Sequence, residues 1–257
     1  MIPSATQHWT AAVGSHAYLA RVDPRLRIVA VVVLSVLIAA ATHFGAALAG
    51  LAIGLMTVPL AGVPLQTLAR RLVPLNLVVL LMALLLPLTT PGRPLAHVGP
   101  WPASWEGLVL AGMIAVKGNA IVLLVVTLVG TIEPIAFGHA LSHLYVPTKL
   151  VHLLLFAVRY FEVLHQEYVR LRAAMKVRGF RPQMNLHTYR ALGNLVGMLL
   201  VRSHDRAERI LAAMKCRGFH GRFYLLDHFA FRRSDIPFAL AALAAAGGLV
   251  WLLVAGL

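Results

Sequence analysis

Acidic residues are the scarcest feature of this sequence. Nine Asp and Glu stand against 23 Lys and Arg in 257 residues, and all charged residues together make up 12%. A soluble domain carries about 25%, so composition argues against an ordinary soluble enzyme. Cysteine is nearly absent. Cys216 stands alone, which excludes an intramolecular disulfide and a cysteine-rich metal site. It is expected to pack as a small hydrophobe. No glycine-rich phosphate loop of the Walker type occurs, so the chain is not expected to hydrolyse ATP itself. The apolar stretches contain no paired carboxylates and no Ser/His/Asp order. What is abundant is hydrophobic residue, 60% of the chain, with a mean hydropathy of +0.80. That combination predicts a polytopic membrane protein. In such a protein a net charge of +14 points first to cytoplasmic loops and only second to nucleic acid.

The expected fold is all-α, with about five transmembrane helices and a cytoplasmic domain inserted before the last. Residues 1–130 form the N-terminal membrane domain, with spans at about 27–42, 44–63, 72–88 and 107–130. His8, Trp9, His16 and Tyr18 suit an interfacial segment before them. The segment ahead of the first span is too long for the n-region of a cleavable signal peptide. Asp23 is a predicted N-cap with Pro24 at the first helical position. Arg27 is expected to extend the first span by snorkelling to the headgroups. Arg70 and Arg71 mark a return to the cytoplasm, and Trp101 and Trp105 suit the outer interface. Gly50 and Gly54, and the stripe Gly107, Ala111, Ala115, Asn119, have the spacing that lets helix backbones approach closely. Residues 236–257 are the last transmembrane helix, entered through Ser234 and Pro237. Sixteen of the 23 Lys and Arg fall between 131 and 235, whereas the segment between the third and fourth spans has only Arg93. The positive-inside rule therefore places the N-terminus and residues 131–235 in the cytoplasm and the C-terminus outside.

Residues 131–235 read as a domain of helices. Thr131, Glu133 and Pro134 open a short one, Tyr145-Val146-Pro147 breaks it, and two long helices follow at about 148–178 and 187–217. Arg159, Glu162, Gln166 and Arg170 form a polar stripe on the first, and Asp205 precedes Arg209 by four on the second, a favourable pair. The apolar faces suit helices lying partly in the membrane interface. Both long helices end in nearly the same words: Ala-Ala-Met-Lys-Val-Arg-Gly-Phe at 173–180 and Ala-Ala-Met-Lys-Cys-Arg-Gly-Phe at 212–219. Part of this string is helix punctuation. Gly179 and Gly218 suit the left-handed C′ position, with Met175 and Phe180, and Met214 and Phe219, making the apolar contact of a Schellman cap. Lys176, Arg178, Lys215 and Arg217 complement the helix dipole. Capping alone would accept Asn for Gly or Leu for Met, and does not demand the string twice. A fixed arginine at each of two helix ends suits two acidic grooves, because guanidinium binds carboxylates in a bidentate manner. A symmetric homodimer supplies two equal grooves.

The paired strings resemble the two Arg-containing signatures of the transmembrane T components of energy-coupling-factor (ECF) transporters. Within these, the chain is most similar to the CbiQ family of cobalt importers and its nickel counterpart NikQ. Asp23-Pro24-Arg25, Leu144-Tyr145-Val146-Pro147-Thr148-Lys149-Leu150 ahead of Arg159-Tyr160, and Arg206-Ala207-Glu208-Arg209 extend the likeness over nearly the whole chain. Val177 and Cys216 depart from the commoner Ala. The resemblance implies a non-catalytic subunit in the cell membrane. Arg178 and Arg217 would each dock on one of two copies of a CbiO-like ABC ATPase, supported by Lys176, Lys215, Gly179 and Gly218. ATP-driven closure would move the two helices, and the motion would pass to a substrate-binding membrane subunit (CbiM-like, with or without CbiN). Cobalt is the implied cargo, with nickel or a vitamin as alternatives, and no cofactor is implied.

Two other classes compete. An intramembrane metalloenzyme would need clustered ligands. His139 and His143, four apart, share a helix face but lack further ligands nearby in sequence, so no metal site is expected. A basic domain for nucleic acid or anionic lipid would explain the charge but not a repeated string, so no nucleic acid partner is expected. Lys117, mid-span and costly there, is expected to face other helices or a subunit near Asn119, with inter-helix bonding preferred over a role in substrate passage.

Overall fold

The computed structural model describes residues 19, 22–90, 93–98, 101–144, 146–219 and 235–255. The interfacial segment with His8, Trp9, His16 and Tyr18, together with Tyr145 and Ser234, lies outside them, as does the Trp101 side chain. The chain divides into two compact units, residues 1–140 with 229–257, and residues 141–228.

The first unit is built from α1 (Pro24–Ala40), α2 (Phe44–Ala61), α3 (Leu65–Thr89), a short hairpin of β1 (Pro94–Val98) and β2 (Trp101–Ser104), α4 (Trp105–Leu124), the larger part of α5 (Pro134–His143) and α8 (Ile236–Ala255). Proline and capping set the helix starts. The Asp23 carboxylate accepts from the Arg25 N–H at 2.9 Å, with proline at the first helical position. Ser104 caps α4 by accepting from the Gly107 N–H at 3.2 Å. β1 and β2 pair antiparallel.

Among the described residues, four helical stretches are long and apolar enough to cross a bilayer: Phe44–Ala61, Gln66–Pro87, Trp105–Val129 and Ile236–Ala255. The expected first span is the one that falls short. α1 has 17 residues and ends before Ala41, about 26 Å at 1.5 Å per residue, against a hydrocarbon core of ~30 Å. Nor does Arg27 snorkel. It is 2% exposed, donating through Nη1 to the Leu19 carbonyl at 3.0 Å and through Nη2 to the Thr131 hydroxyl. Two internal partners replace the headgroups, which is how a buried guanidinium becomes tolerable.

α4 is the central helix, lying between α2 and α3. Small residues make this possible. A Cβ on Gly54 would stand 3.2 Å from the Ala120 carbonyl oxygen, and one on Gly107 would stand 2.7 Å from that of Leu86. Both expected small-residue stripes are therefore close-approach faces. Val31, Leu34 and Ile38 of α1 join Ala120, Leu124 and Leu249 in the main core, while Leu68, Leu123 and Val126 form a second cluster. Past Leu124 the chain winds as a π-helix over Val125–Val129. Thr127 is buried there, 2.8 Å from the Thr57 hydroxyl. Polar bonds then draw several helix ends together at one end of the unit. The Asp23 N–H donates to Asp235 at 3.2 Å, Arg27 reaches Thr131, and the Arg71 guanidinium lies against Gly130.

The second unit carries α6 (Thr148–Val177, 30 residues) and α7 (Leu186–Cys216, 31 residues). Both match the sequence expectation within a residue at each end. Pro147 sits at the N-cap of α6, and Pro182 lies between the two helices, where no amide hydrogen is required. Before α7 the Thr188 hydroxyl accepts from the Gln183 N–H at 3.2 Å.

Candidate functional site

The two repeated strings close their helices with the same bonds. At the end of α6, Gly179 has φ +80°, the Phe180 N–H donates to the Met175 carbonyl at 3.1 Å, and the Gly179 N–H donates to Lys176 at 3.0 Å. At the end of α7, Gly218 has φ +78°, the Phe219 N–H donates to Met214 at 3.1 Å, and the Gly218 N–H donates to Lys215 at 3.0 Å. Both are Schellman caps, with glycine at C′ because an L side chain there costs roughly 1–2 kcal/mol.

The caps sort the string into an inner and an outer face. Met175, Phe180, Met214 and Phe219 are half-buried, while Lys176, Arg178, Gly179, Lys215, Arg217 and Gly218 are exposed. Arg178 and Arg217 are the C-cap residues, with backbone angles of −78°, 11° and −91°, 12°. Neither side chain forms an ion pair among the described residues. Each arginine is thus pinned through its backbone and open through its guanidinium. Cys216 is exposed rather than packed, as is its counterpart Val177 at 89%. Residues in the last helical turn project over the surface and have little to pack on.

α6 and α7 touch along a limited stretch. Glu167 of α6 is bonded by Arg202 of α7 and by Arg170, the latter at 3.7 Å. Beside this contact an apolar cleft of about 280 Å³ lies between Phe156, Tyr160 and Leu164 on one helix and Ala207, Ile210 and Met214 on the other. Earlier residues of α6 face later residues of α7, so the helices run past each other in opposite senses. Their C-termini therefore lie on opposite sides of the crossing. At 1.5 Å per residue, up to about 40 Å of helix axis separates Arg178 from Arg217. That spacing suits two separate contacts better than one.

A profile of the family described as CbiQ, cobalt transport protein, matches residues 15–225. The chain belongs to the CbiQ family. It is a transmembrane T component of the energy-coupling-factor type, and so part of an importer that works with ATPase and substrate-binding subunits. It is similar to the energy-coupling factor transporter transmembrane protein EcfT of Heliobacterium modesticaldum, 27% identical over 212 residues, which is 78% of this chain and 79% of that protein. It is also similar to the nickel permease LarQ of Lactiplantibacillus plantarum, 34% identical over 83 residues, which is 32% of this chain and 30% of that protein.

The remaining sequence candidates separate clearly in this CbiQ-family chain. No group of three or more His, Cys, Asp or Glu placed to hold a metal occurs among the described residues, and His139 and His143 do not form part of one. Lys117 does bond another helix, but through the Ala39 carbonyl at 3.2 Å, at the negative end of the α1 dipole. Asn119 instead pairs reciprocally with Asn76 of α3, at 2.9 and 3.1 Å. The expected Asp205–Arg209 pair is not among the ion pairs of the described residues; the pair on that surface is His204–Glu208 at 3.4 Å. Exposed pairs of this kind gain only tenths of a kcal/mol against side-chain entropy, so local spacing does not decide which forms. The Glu167–Arg202 bond was not anticipated. It joins residues 35 apart on two helices, and only the helix register relates them.

Proposed function

We propose that this chain couples ATP-driven closure of two ABC ATPase subunits to a substrate-binding membrane subunit of a cobalt importer, using Arg178 and Arg217 as docking points. The observation that carries this reading is the duplication of one exposed, backbone-pinned arginine at two helix ends. Lys176 and Lys215 add positive charge beside each arginine. Gly179 and Gly218 turn the chain away so that a partner can close over the helix end. The basic end of the membrane unit, with Arg70 and Arg71, belongs on the cytoplasmic side by the positive-inside rule. The second unit, with most of the Lys and Arg, belongs there too. The reactions are divided among subunits: ATP hydrolysis in the ATPases, cargo binding in the membrane partner, and transmission of motion in this chain.

Cobalt is proposed from the family and nickel is the alternative, favoured by the likeness to a nickel permease. Cellular uptake of the two ions by the reassembled importer separates them. The docking claim is tested by the double charge reversal R178E/R217E. It is expected to abolish co-purification of the ATPase while the chain still inserts in the membrane. Undiminished ATPase capture by the double variant contradicts the claim.

A further inference from the structure

We propose that Glu167 is a positioning residue: its bond to Arg202 is a brace that fixes the crossing of α6 and α7, and with it the spacing of the two arginine-bearing helix ends. The inference rests on the docking reading of Arg178 and Arg217. Three observations carry it. First, the Glu167 side chain is only 12% exposed although it is charged, and Arg170 and Arg202 flank it from the two helices. A carboxylate so enclosed needs partners, and Arg202 is the one that comes from the other helix. Second, no other ion pair joins α6 to α7 among the described residues. Third, the apolar side of the crossing is not filled. The open cleft of about 280 Å³ lies between the two helices, so side-chain interdigitation, the usual determinant of a crossing angle, is incomplete where the angle must be held.

The leverage is large. Arg217 lies 15 residues beyond Arg202, and Arg178 lies 11 beyond Glu167, arms of about 22 and 16 Å. A change of crossing angle within the 15–20° scatter normal for packed helices moves the longer arm's end by about 6–8 Å. Slack of that size would absorb the motion of the two sockets on one partner dimer instead of passing it across the crossing. With the brace intact, motion applied to one end is delivered to the other. With the brace broken, both ends still dock but the coupling is lost.

The chain supplies its own reporters. Cys216 is its one cysteine and is exposed beside Arg217, and Val177 is the matching exposed position beside Arg178. Spin labels on Cys216 and V177C, in the full chain in lipid nanodiscs, report the end-to-end distance by pulsed electron–electron resonance. The background variant is expected to give one narrow distribution. E167R and R202E, each placing like charges together, are expected to broaden it and shift its mean. The swap E167R/R202E is expected to restore it. E167Q and R202Q are milder versions that serve where a reversal does not fold. An unchanged distribution in the single variants, a distribution already broad in the background, or a swap that fails to restore it overturns the brace. ATPase capture by E167Q is measured in parallel and should persist, because both docking arginines remain. Its loss, with the distance distribution unchanged, also overturns the brace. The distance measurement needs no ATPase, so a failure of the docking reading in R178E/R217E is distinguishable from a failure of the brace.

Discussion

Arg178 and Arg217 owe their placement to the residues that follow them. Each stands one step before a left-handed glycine, and the Schellman bonds from Phe180 and Phe219 fix the backbone on both sides. G179A and G218A force a Cβ into the left-handed region, at about 1–2 kcal/mol each. No neighbour lies within 4 Å of either added Cβ, so the cost is conformational, not steric. Each variant is expected to weaken ATPase binding by up to about thirtyfold, and asparagine at the same position should weaken it less, because Asn tolerates this conformation. Titration of the ATPase against the solubilised chain measures this; equal losses for Ala and Asn would contradict it. These caps were legible in the sequence down to the C′ glycines, since they depend only on neighbours within six residues. Glu167–Arg202 and the burial of Arg27 were not, because each depends on a helix distant in sequence. The exposure of Cys216 was missed for a related reason: its residue type suggested packing, and its place in the last turn overruled that.

Among the helices, α4 is the one around which the membrane unit is arranged, and small residues make room for its neighbours. G107V would drive a side chain into the backbone of α3 at Leu86 and Pro87. Overpacking of this kind costs about 1–3 kcal/mol, so a clear fall in the melting temperature of the detergent-solubilised protein is expected. G112A is the control: nothing lies within 4 Å of its added Cβ, and replacing a helical glycine there should be neutral or gain up to about 1 kcal/mol. Equal destabilisation by both would show that close approach at Gly107 is not what matters. Hydrophobic runs gave the helix positions well, because the bilayer requires long apolar segments. Their ends were less legible. α3 runs from Leu65 to Thr89 with Pro74 and Pro87 inside it, taking Arg70 and Arg71 into the helix rather than before it. The π-helical turn at Val125–Val129 has no signal in hydropathy, which reads side chains and not backbone winding.

At the scale of the whole molecule, the membrane unit and the unit bearing the two helix ends have different physical characters. One is held by small-residue helix packing, and the other by two long helices with a thin contact and two exposed cationic ends. The central claim is that the two ends engage two separate ATPase copies. Its most direct test is photo-crosslinking from Val177 and Cys216 in the assembled transporter, using a photoactivatable label on V177C and on the native cysteine. Each position alone is expected to capture one ATPase, and both together to yield a product of this chain with two ATPase subunits. Capture of a single ATPase copy by both positions, or of no ATPase by either, would contradict it.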